Sequence, residues 1–517
     1  MGSPRSSPEP GTLELLLPEV RRFARTLDSA RIDREASLGA DVIAAAADLG
    51  LFGLAIEVEH GGLGLDLGET CEVIATVAEH DRSVATSLGL HAGLGSRPLV
   101  TLGSDAQKRR YLPSMASGAC VASFAATEAG AGSDLMAIRT TIAEDASSFV
   151  LEGEKHYVTN GGFAGVFTVL ARGPLGHGKS AHSLVCVPRE RTGLTIGKEE
   201  EKLGLKGSST VSVAFDGVRL AKEDLLEPAG HGMEQAHAAL AWGRTLMSAG
   251  SVGLARAAFS AAREHVRTRR QFGRTLGSFG AVKAQLAEMA ARLFAMEALV
   301  DEVGRREREG RAIASLSSSA KVFCSEGSHA LADRSVQLHG ALGYLEDSGV
   351  PRLLRDCRVS RIFEGANDVL LVLAGTELLG RNALPELPSL PSPDLADARD
   401  AWASTVEELG RTVEEAKRRH GLRLVREQTW LASVARAQIG LEAAAAALAR
   451  PATTTELGAM LARHAVTILV SEARRSLGHA ARSFTVAADE QRLASALLES
   501  FDPALPARRG LSPRWSA

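Results

Sequence analysis

The sequence predicts an α+β chain that is mainly α: a helical N-terminal block, a small β-rich middle block, a second helical block, and an added helical block beyond a linker. Three observations carry this. Hydrophobic residues make up 45% of the chain and aromatics only 4%, and Ala, Leu and Arg recur in long Pro-free stretches that favour helices. Between about residues 119 and 227 the texture changes to short β-branched runs parted by Gly and Asn. From about 381 to 396 the segment Asn382-Ala-Leu-Pro385 through Pro391-Ser-Pro393 cannot continue a helix. The 517 residues suit roughly three domains of ordinary size, each with its own core.

Residues 1–12 are Ser- and Pro-rich, lack the apolar segment of a secretory signal, and are expected to be a disordered tail. The first helical block spans 13–118, with Pro18 where a helix could begin and Val20, Phe23, Ala24 and Leu27 at helical spacing. In the middle block, 119–227, strands are expected at Phe167–Ala171, Ser183–Val187 and Val211–Phe215. Helices resume near Gly232 in a block spanning 228–380, where Leu286, Met289, Leu293, Met296 and Val300 form one stripe, the pattern of a bundle core. In the last block, 397–517, Leu441, Ala445, Leu448, Leu461, Ala465 and Ile468 fall on helical faces without any cluster of reactive groups, so it reads as structural or associative.

With 59 basic and 62 acidic residues the formal charge is -3, and no whole-chain field draws the protein to nucleic acid or an anionic surface. Small molecules are the expected partners. The five cysteines are odd in number and dispersed, which speaks against a disulfide framework or a zinc site and for a reduced cytoplasm; no metal is expected. No stretch approaches the length of a membrane span, so a soluble protein is expected.

Five segments offer chemistry. Phe124-Ala-Ala-Thr-Glu-Ala-Gly-Ala-Gly-Ser-Asp134 would let backbone approach a flat ligand, or is a plain Gly-rich turn. Lys155-His-Tyr-Val-Thr-Asn-Gly-Gly162 offers a hydroxyl at Thr159 beside Tyr157, or is a hairpin end. Arg269-Arg-Gln-Phe-Gly273 sits where one long helix stops, and its guanidinium fork would suit a pyrophosphate. Gln337-Leu-His-Gly-Ala-Leu-Gly343 gives glycines for close approach, with His339 read as a packed or capped side chain rather than a base. In Arg361-Ile-Phe-Glu-Gly-Ala-Asn-Asp368 a carboxylate follows two bulky apolar residues; half-buried, it would have a raised pKa and suit proton abstraction beside a carbonyl, although a capping or salt-bridged Glu fits as well. Ser318-Ser-Ala-Lys321 has β-lactamase-like spacing but falls inside a predicted helix without partners and is set aside.

Taken together and in this order, Thr127 to Asp134, Tyr157-Val-Thr-Asn, Arg269-x-Gln-Phe-Gly, Gln337-x-x-Gly and Phe363-Glu-Gly resemble the acyl-CoA dehydrogenase family, over about residues 13 to 380. The linker and added block, with Ser278-Phe-Gly280 and Asn367-Asp368, resemble its very-long-chain branch. The resemblance implies an N-terminal helical domain, a middle β-barrel-like domain, a C-terminal four-helix bundle and an additional bundle. FAD would lie between the β-domain and the bundles of two subunits of a homodimer. Phe124, Ala126, Thr127, Gly132, Ser133, Tyr157, Val158 and Thr159 would hold the flavin. Arg269, Gln271 and Phe272 would reach FAD across the interface, Gln337, Leu338, Gly340 and Ala341 would contact its adenine end, and Asn367 and Asp368 would complete the site. Glu364 would be the catalytic base, Ser133, Phe363 and Gly365 substrate contacts, and Arg244 the arginine that orients the base loop.

The reaction so implied is oxidation of a saturated acyl-CoA of medium to very long chain to the trans-2-enoyl thioester, in fatty acid β-oxidation, with hydride passing to the flavin and electrons to an electron-transferring flavoprotein. The sequence departs from the family near FAD at Ala129, Ala341 and Ala366. On the thioester-carrier side it departs at Ala241, where Asp or Asn is common, and at Leu371, where Arg is common. The carrier-side departures motivate an alternative, a substrate carried on acyl carrier protein; a competing class is a flavin oxidase or monooxygenase on the same fold, against which the retained Glu364 argues. The added block either covers the dimer or touches membrane through the basic run Lys417, Arg418, Arg419 and His420.

Overall fold

The computed structural model describes residues 11–145, 148–173, 181–381 and 384–499. The expected tail up to residue 10, Asn382 and Ala383 of the linker, and the end of the added block from residue 500 lie outside the described residues.

Seven helices form the N-terminal layer: α1 (Thr12–Thr26), α2 (Ser29–Glu35), α3 (Ala40–Asp48), α4 (Leu67–Ala78), α5 (Arg82–Leu90), α6 (Arg97–Leu102) and α7 (Asp105–Ala116). Helix α1 begins earlier than its proline suggests: Pro18 sits inside it, while Val20, Phe23 and Ala24 are buried as the spacing requires. Two capping boxes fix later starts, Asp66 with Glu69 at α4 and Ser104 with Gln107 at α7. Each satisfies two backbone N–H groups that a helix start leaves without partners.

The β-domain holds β1 (Ala122–Ala125), β2 (Thr141–Asp145), β3 (Ser148–Thr159), β4 (Val166–Arg172), β5 (His182–Pro188), β6 (Leu194–Ile196), β7 (Thr210–Ala221) and β8 (Leu225–Leu226). Among the described residues they form one sheet in the order β6-β7-β3-β2-β4-β5-β8, with β1 parallel to β4. Val211, Val213 and Phe215 point into the core while Ser212 and Ala214 are half-buried, the alternation of a one-sided strand. The β3–β7 register slips between the pairs Lys155–Val213 and Val158–Val211, so His156 and Tyr157 face Ser212 alone. Such a bulge re-aims a side chain. Tyr157 takes the left-handed φ of 55° and its ring stands out, 50% exposed.

The second helical block comprises α8 (Gly232–Thr268), α9 (Gly280–Arg308), α10 (Ala314–His339), α11 (Val350–Arg358) and α12 (Asn367–Arg381), a helical bundle. A small hairpin of β9 (Arg270–Gln271) and β10 (Arg274–Thr275) joins α8 to α9. Of the predicted stripe on α9, Met289, Leu293, Met296 and Val300 are buried and Leu286 packs against them.

The added block is α13 (Ala396–His420), α14 (Gln428–Ala449) and α15 (Glu456–Glu499). It is fastened to the bundle at short range. A Cβ at Gly375 on α12 would lie 2.4 Å from the Leu431 carbonyl oxygen on α14, so only glycine lets these two backbones touch. Ion pairs Arg292–Glu472 (2.6 Å) and Arg450–Glu297 (2.7 Å) bind the block to α9. Contrary to the expectation from sequence, α14 is long and apolar enough to cross a membrane by length and composition; in the fold it is a core helix, mostly buried.

Candidate active site

After α11 a 3-10 turn, Val359–Arg361, bonds the amides of Ile362 and Phe363 back to the Val359 carbonyl at 2.8 and 3.1 Å. Glu364 and Gly365 then make the bend into α12, with φ of 57° and 100°. Glycine adopts this freely, whereas an L side chain there costs about 1–2 kcal/mol. Two cations hold the bend. Arg244, on α8, donates Nε to the Glu364 carbonyl at 2.9 Å and Nη1 to Ser318 Oγ at 3.2 Å. Lys321, on α10, donates Nζ to the Gly365 carbonyl at 2.6 Å and to Asn367 Oδ1 at 2.7 Å.

The Glu364 carboxylate is the unusual group. Its Oε2 is buried and, among the described residues, accepts no hydrogen bond. Gly243 on α8 leaves it room: a Cβ there would stand 3.3 Å from Oε2 and 2.8 Å from Leu94. Burial pushes Glu364 up to about 7, against the opposing pull of Arg244 and Lys321. Burial likewise lowers Lys321 to about 7, against the attraction of Glu364. A carboxylate poised near neutrality can accept a proton at working pH.

Leu94 belongs to a buried apolar cluster with Leu90, Ala239 and Leu240, and half-buried Phe124 packs on it. Contacts therefore run from Glu364 through Gly243 and Leu94 to the glycine-rich loop. That loop is tied to the Tyr157–Thr159 strand end by three hydrogen bonds. His156 N donates to the Thr127 carbonyl (2.8 Å), Ser123 Oγ to the Thr159 carbonyl (2.5 Å), and Lys155 Nζ to the Ala126 carbonyl (3.0 Å). Lys155 is fully buried and also meets Glu128 at 2.8 Å; burial lowers it to about 8. Burial works to raise Glu128, but the hydrogen bonds from Lys155 and from the amides of Arg139 and Thr140 hold it at about 2.

This surface suits a flavin. Gly132 and Ser133 are exposed, a Cβ at Gly130 would meet nothing within 4 Å, and Tyr157 is 50% exposed. Ala126 and Val158 are buried beneath it, while Thr127 and Thr159 are half-buried.

A second group of sequence-selected residues lies elsewhere. Arg269, Gln271 and Phe272 are exposed on the hairpin, Phe272 91% so and with a left-handed φ of 51°. The His339 ring stacks on His265 at 4.2 Å, which brings the Gln337–Ala341 turn to the same end of α8; His339 is packed, as expected, with Nδ1 2.7 Å from the Ser335 carbonyl. From Arg244 to Arg269 α8 climbs about 37 Å at 1.5 Å per residue. The hairpin is thus remote from Glu364 of its own chain.

The base loop also draws on residues that the sequence set aside. Ser318 and Lys321, set aside as lacking partners, are the α10 contacts of Arg244 and of the base loop; no motif announces them, because their partners come from α8 and α12. Asn367, expected at the flavin, spends its amide on Lys321, Ser325 and Glu326 inside the bundle, while Asp368 is exposed in the first turn of α12. Ala241 and Leu371 are 4% and 3% exposed and offer no polar group.

The chain matches the acyl-CoA dehydrogenase N-terminal, middle and C-terminal domains over residues 11–119, 123–218 and 230–379, and the ACAD9/ACADV C-terminal domain over 393–494. It is 31% identical over 495 residues to the mitochondrial very long-chain specific acyl-CoA dehydrogenase of Mus musculus, covering 87% of this chain and 76% of that one. An acyl-CoA dehydrogenase of Bacillus anthracis solved with FAD superposes with a TM-score of 0.81 at 26% identity, covering 96% of this chain and 93% of the other. The prolyl acyl carrier protein oxidase AnaB gives 0.68 at 26% identity, covering 71% and 98%.

Proposed function

Because the chain belongs to the acyl-CoA dehydrogenase family and is an FAD-dependent enzyme of it, we propose that Glu364 removes the α-proton of a saturated acyl-CoA during its conversion to the trans-2-enoyl-CoA. The observation that carries this reading is the buried Oε2, which accepts no hydrogen bond among the described residues and lies beside Gly243, next to Leu94 of the apolar cluster Leu90, Leu94, Ala239 and Leu240. The acyl chain lies on that cluster and Glu364 meets its α-carbon. Arg244 and Lys321 keep the carboxylate aimed, since both bond the backbone that carries it. FAD, when bound, supplies the acceptor for the hydride that leaves the β-carbon. Phe124, Ala126, Thr127, Gly132, Ser133 and Tyr157 to Thr159 hold the flavin, with Ser133 also touching the thioester arm and Phe363 and Gly365 flanking the substrate.

Arg269, Gln271 and Phe272, with Gln337, Leu338, Gly340 and Ala341, serve the flavin of a second copy in a homodimer. The length of α8 supports this, since about 37 Å separates these residues from their own base. Medium to very long chains are the substrates we infer, on the strength of the added C-terminal domain shared with very long-chain specific relatives. Electrons pass on to an electron-transferring flavoprotein. The basic run at Lys417 to His420 is a solvated helix face rather than a membrane contact, as Lys417 pairs with Glu414 and Arg419 with Glu415.

A second reading has one observation in its favour. Ala241 and Leu371 are buried and apolar and bring no polar group at these two positions, as a substrate on acyl carrier protein would allow. Anaerobic titration of FAD-loaded protein with acyl-CoAs of graded length separates the two. Flavin bleaching by one length class, lost in Glu364→Gln, supports the CoA reading; bleaching only by acyl carrier protein thioesters overturns it.

A further inference from the structure

Lys321 stands almost wholly out of water, 1% exposed, where an unpaired ammonium group is penalised by several kcal/mol. Packing alone gives no reason for it, since a methionine would fill the same space among Ala320, Val322 and the neighbouring serines of α10. All of its polar contacts go to the base loop: the Gly365 carbonyl at 2.6 Å and Asn367 Oδ1 at 2.7 Å. Asn367 is in turn fixed to Ser325 and Glu326, and Glu326 to Arg361, at 2.8–2.9 Å. The loop so held includes the left-handed Glu364, which would relax toward a commoner backbone conformation if one clamp opened.

We infer that Lys321 is a positioning residue for proton abstraction: it fixes the base loop through Gly365 and Asn367, and its charge keeps Glu364 a carboxylate at working pH. This rests on the reading of Glu364 as the base. The charged and titratable groups around the pair are Arg244 and His237 on α8, Glu326 on α10, Arg361 on the turn before the loop and Glu377 on α12. Arg244 and Lys321 are the two that oppose burial at Glu364. With Lys321 neutralised, Glu364 takes up its proton at higher pH.

The test is anaerobic stopped-flow reduction of FAD-loaded enzyme by one saturating acyl-CoA across pH, in wild type, Lys321→Arg, Lys321→Gln and Lys321→Met. In the Gln and Met variants the acid limb of the rate should move up by about one pH unit, the effect of an opposite charge at close range. Lys321→Arg should keep the wild-type limb. Lys321→Met should in addition reduce its flavin about 10- to 100-fold more slowly, the scale of a misplaced reacting group. An unchanged acid limb in Lys321→Gln overturns the inference and leaves Lys321 a folding residue, and this variant decides even where Lys321→Met does not fold. A wild type whose flavin no acyl-CoA bleaches defeats the reading of Glu364 itself, and the inference with it.

Discussion

Replacing Glu364 by glutamine should slow flavin reduction by orders of magnitude and, at alkaline pH, make the protein more stable. The rise of the carboxyl from its ordinary 4.5 to about 7 corresponds, at 1.36 kcal/mol per unit, to about 3 kcal/mol of destabilisation of the folded state once Glu364 is ionised. The sign follows from the direction of the shift. Below about pH 4.5 the residue is protonated in both folded and unfolded chains and its pKa contributes no difference. Between about 4.5 and 7 the unfolded chain loses its proton first, and above about 7 the full penalty is present. Glutamine carries no such penalty, so the gain from Glu364→Gln should be near zero at pH 4.5 and approach about 3 kcal/mol at pH 8.5. Guanidinium unfolding midpoints of both proteins at the two pH values, with FAD loading matched, measure the difference. Reduction by acyl-CoA should fall by about 10²- to 10⁴-fold, the usual worth of a general base. An equal stability difference at both pH values would refute the claim that burial sets the proton affinity of Glu364.

Three further outcomes follow from the geometry. Lys155→Met removes the buried partner of Glu128 and the strut under the Ala126 carbonyl; breaking such a pair costs about 3–5 kcal/mol, and FAD retention through gel filtration should fall with it. Phe272→Ala removes a ring 91% exposed in the single chain, so thermal unfolding of the monomer should move by no more than about 0.5 kcal/mol, while sedimentation should show weaker self-association and absorbance a lower flavin content. Gly375→Ala places a methyl group 2.4 Å from the Leu431 carbonyl, and limited proteolysis should release the added domain faster, with flavin reduction slowed because α12 begins at the base loop.

Much of the fold was legible in the sequence because its signals are local. The Val211–Phe215 alternation and the α9 stripe each state a period that burial then honours. Proline was read too strongly at α1, where Pro18 is accommodated inside the helix because capping by Gly11 and burial of Val20, Phe23 and Ala24 set the boundaries. The candidate site divided along the same line. Glu364 announces itself by its neighbours in the chain, Phe363 and Gly365. Lys321 and Ser318 have no such signature, since the groups that give them meaning come from 44 or more residues away, at Gly365 and Arg244. Among the described residues, three of the six non-glycine residues with left-handed φ are Tyr157, Phe272 and Glu364. Strained backbone thus coincides with residues chosen from sequence for chemistry, a coincidence no residue type could have foretold.

The span of α8 has a genetic consequence. If one end of the helix, at Arg244, serves the base loop of its own chain and the other, at Arg269, serves the flavin of a second copy, then a defect follows the site and not the polypeptide. A chain carrying Glu364→Gln lacks its own base yet still lends an intact hairpin; a chain with a crippled hairpin keeps its base yet starves its neighbour. Two inactive alleles expressed together would then form mixed dimers in which one site inherits both lesions and the other inherits neither, and activity would reappear from two dead parents.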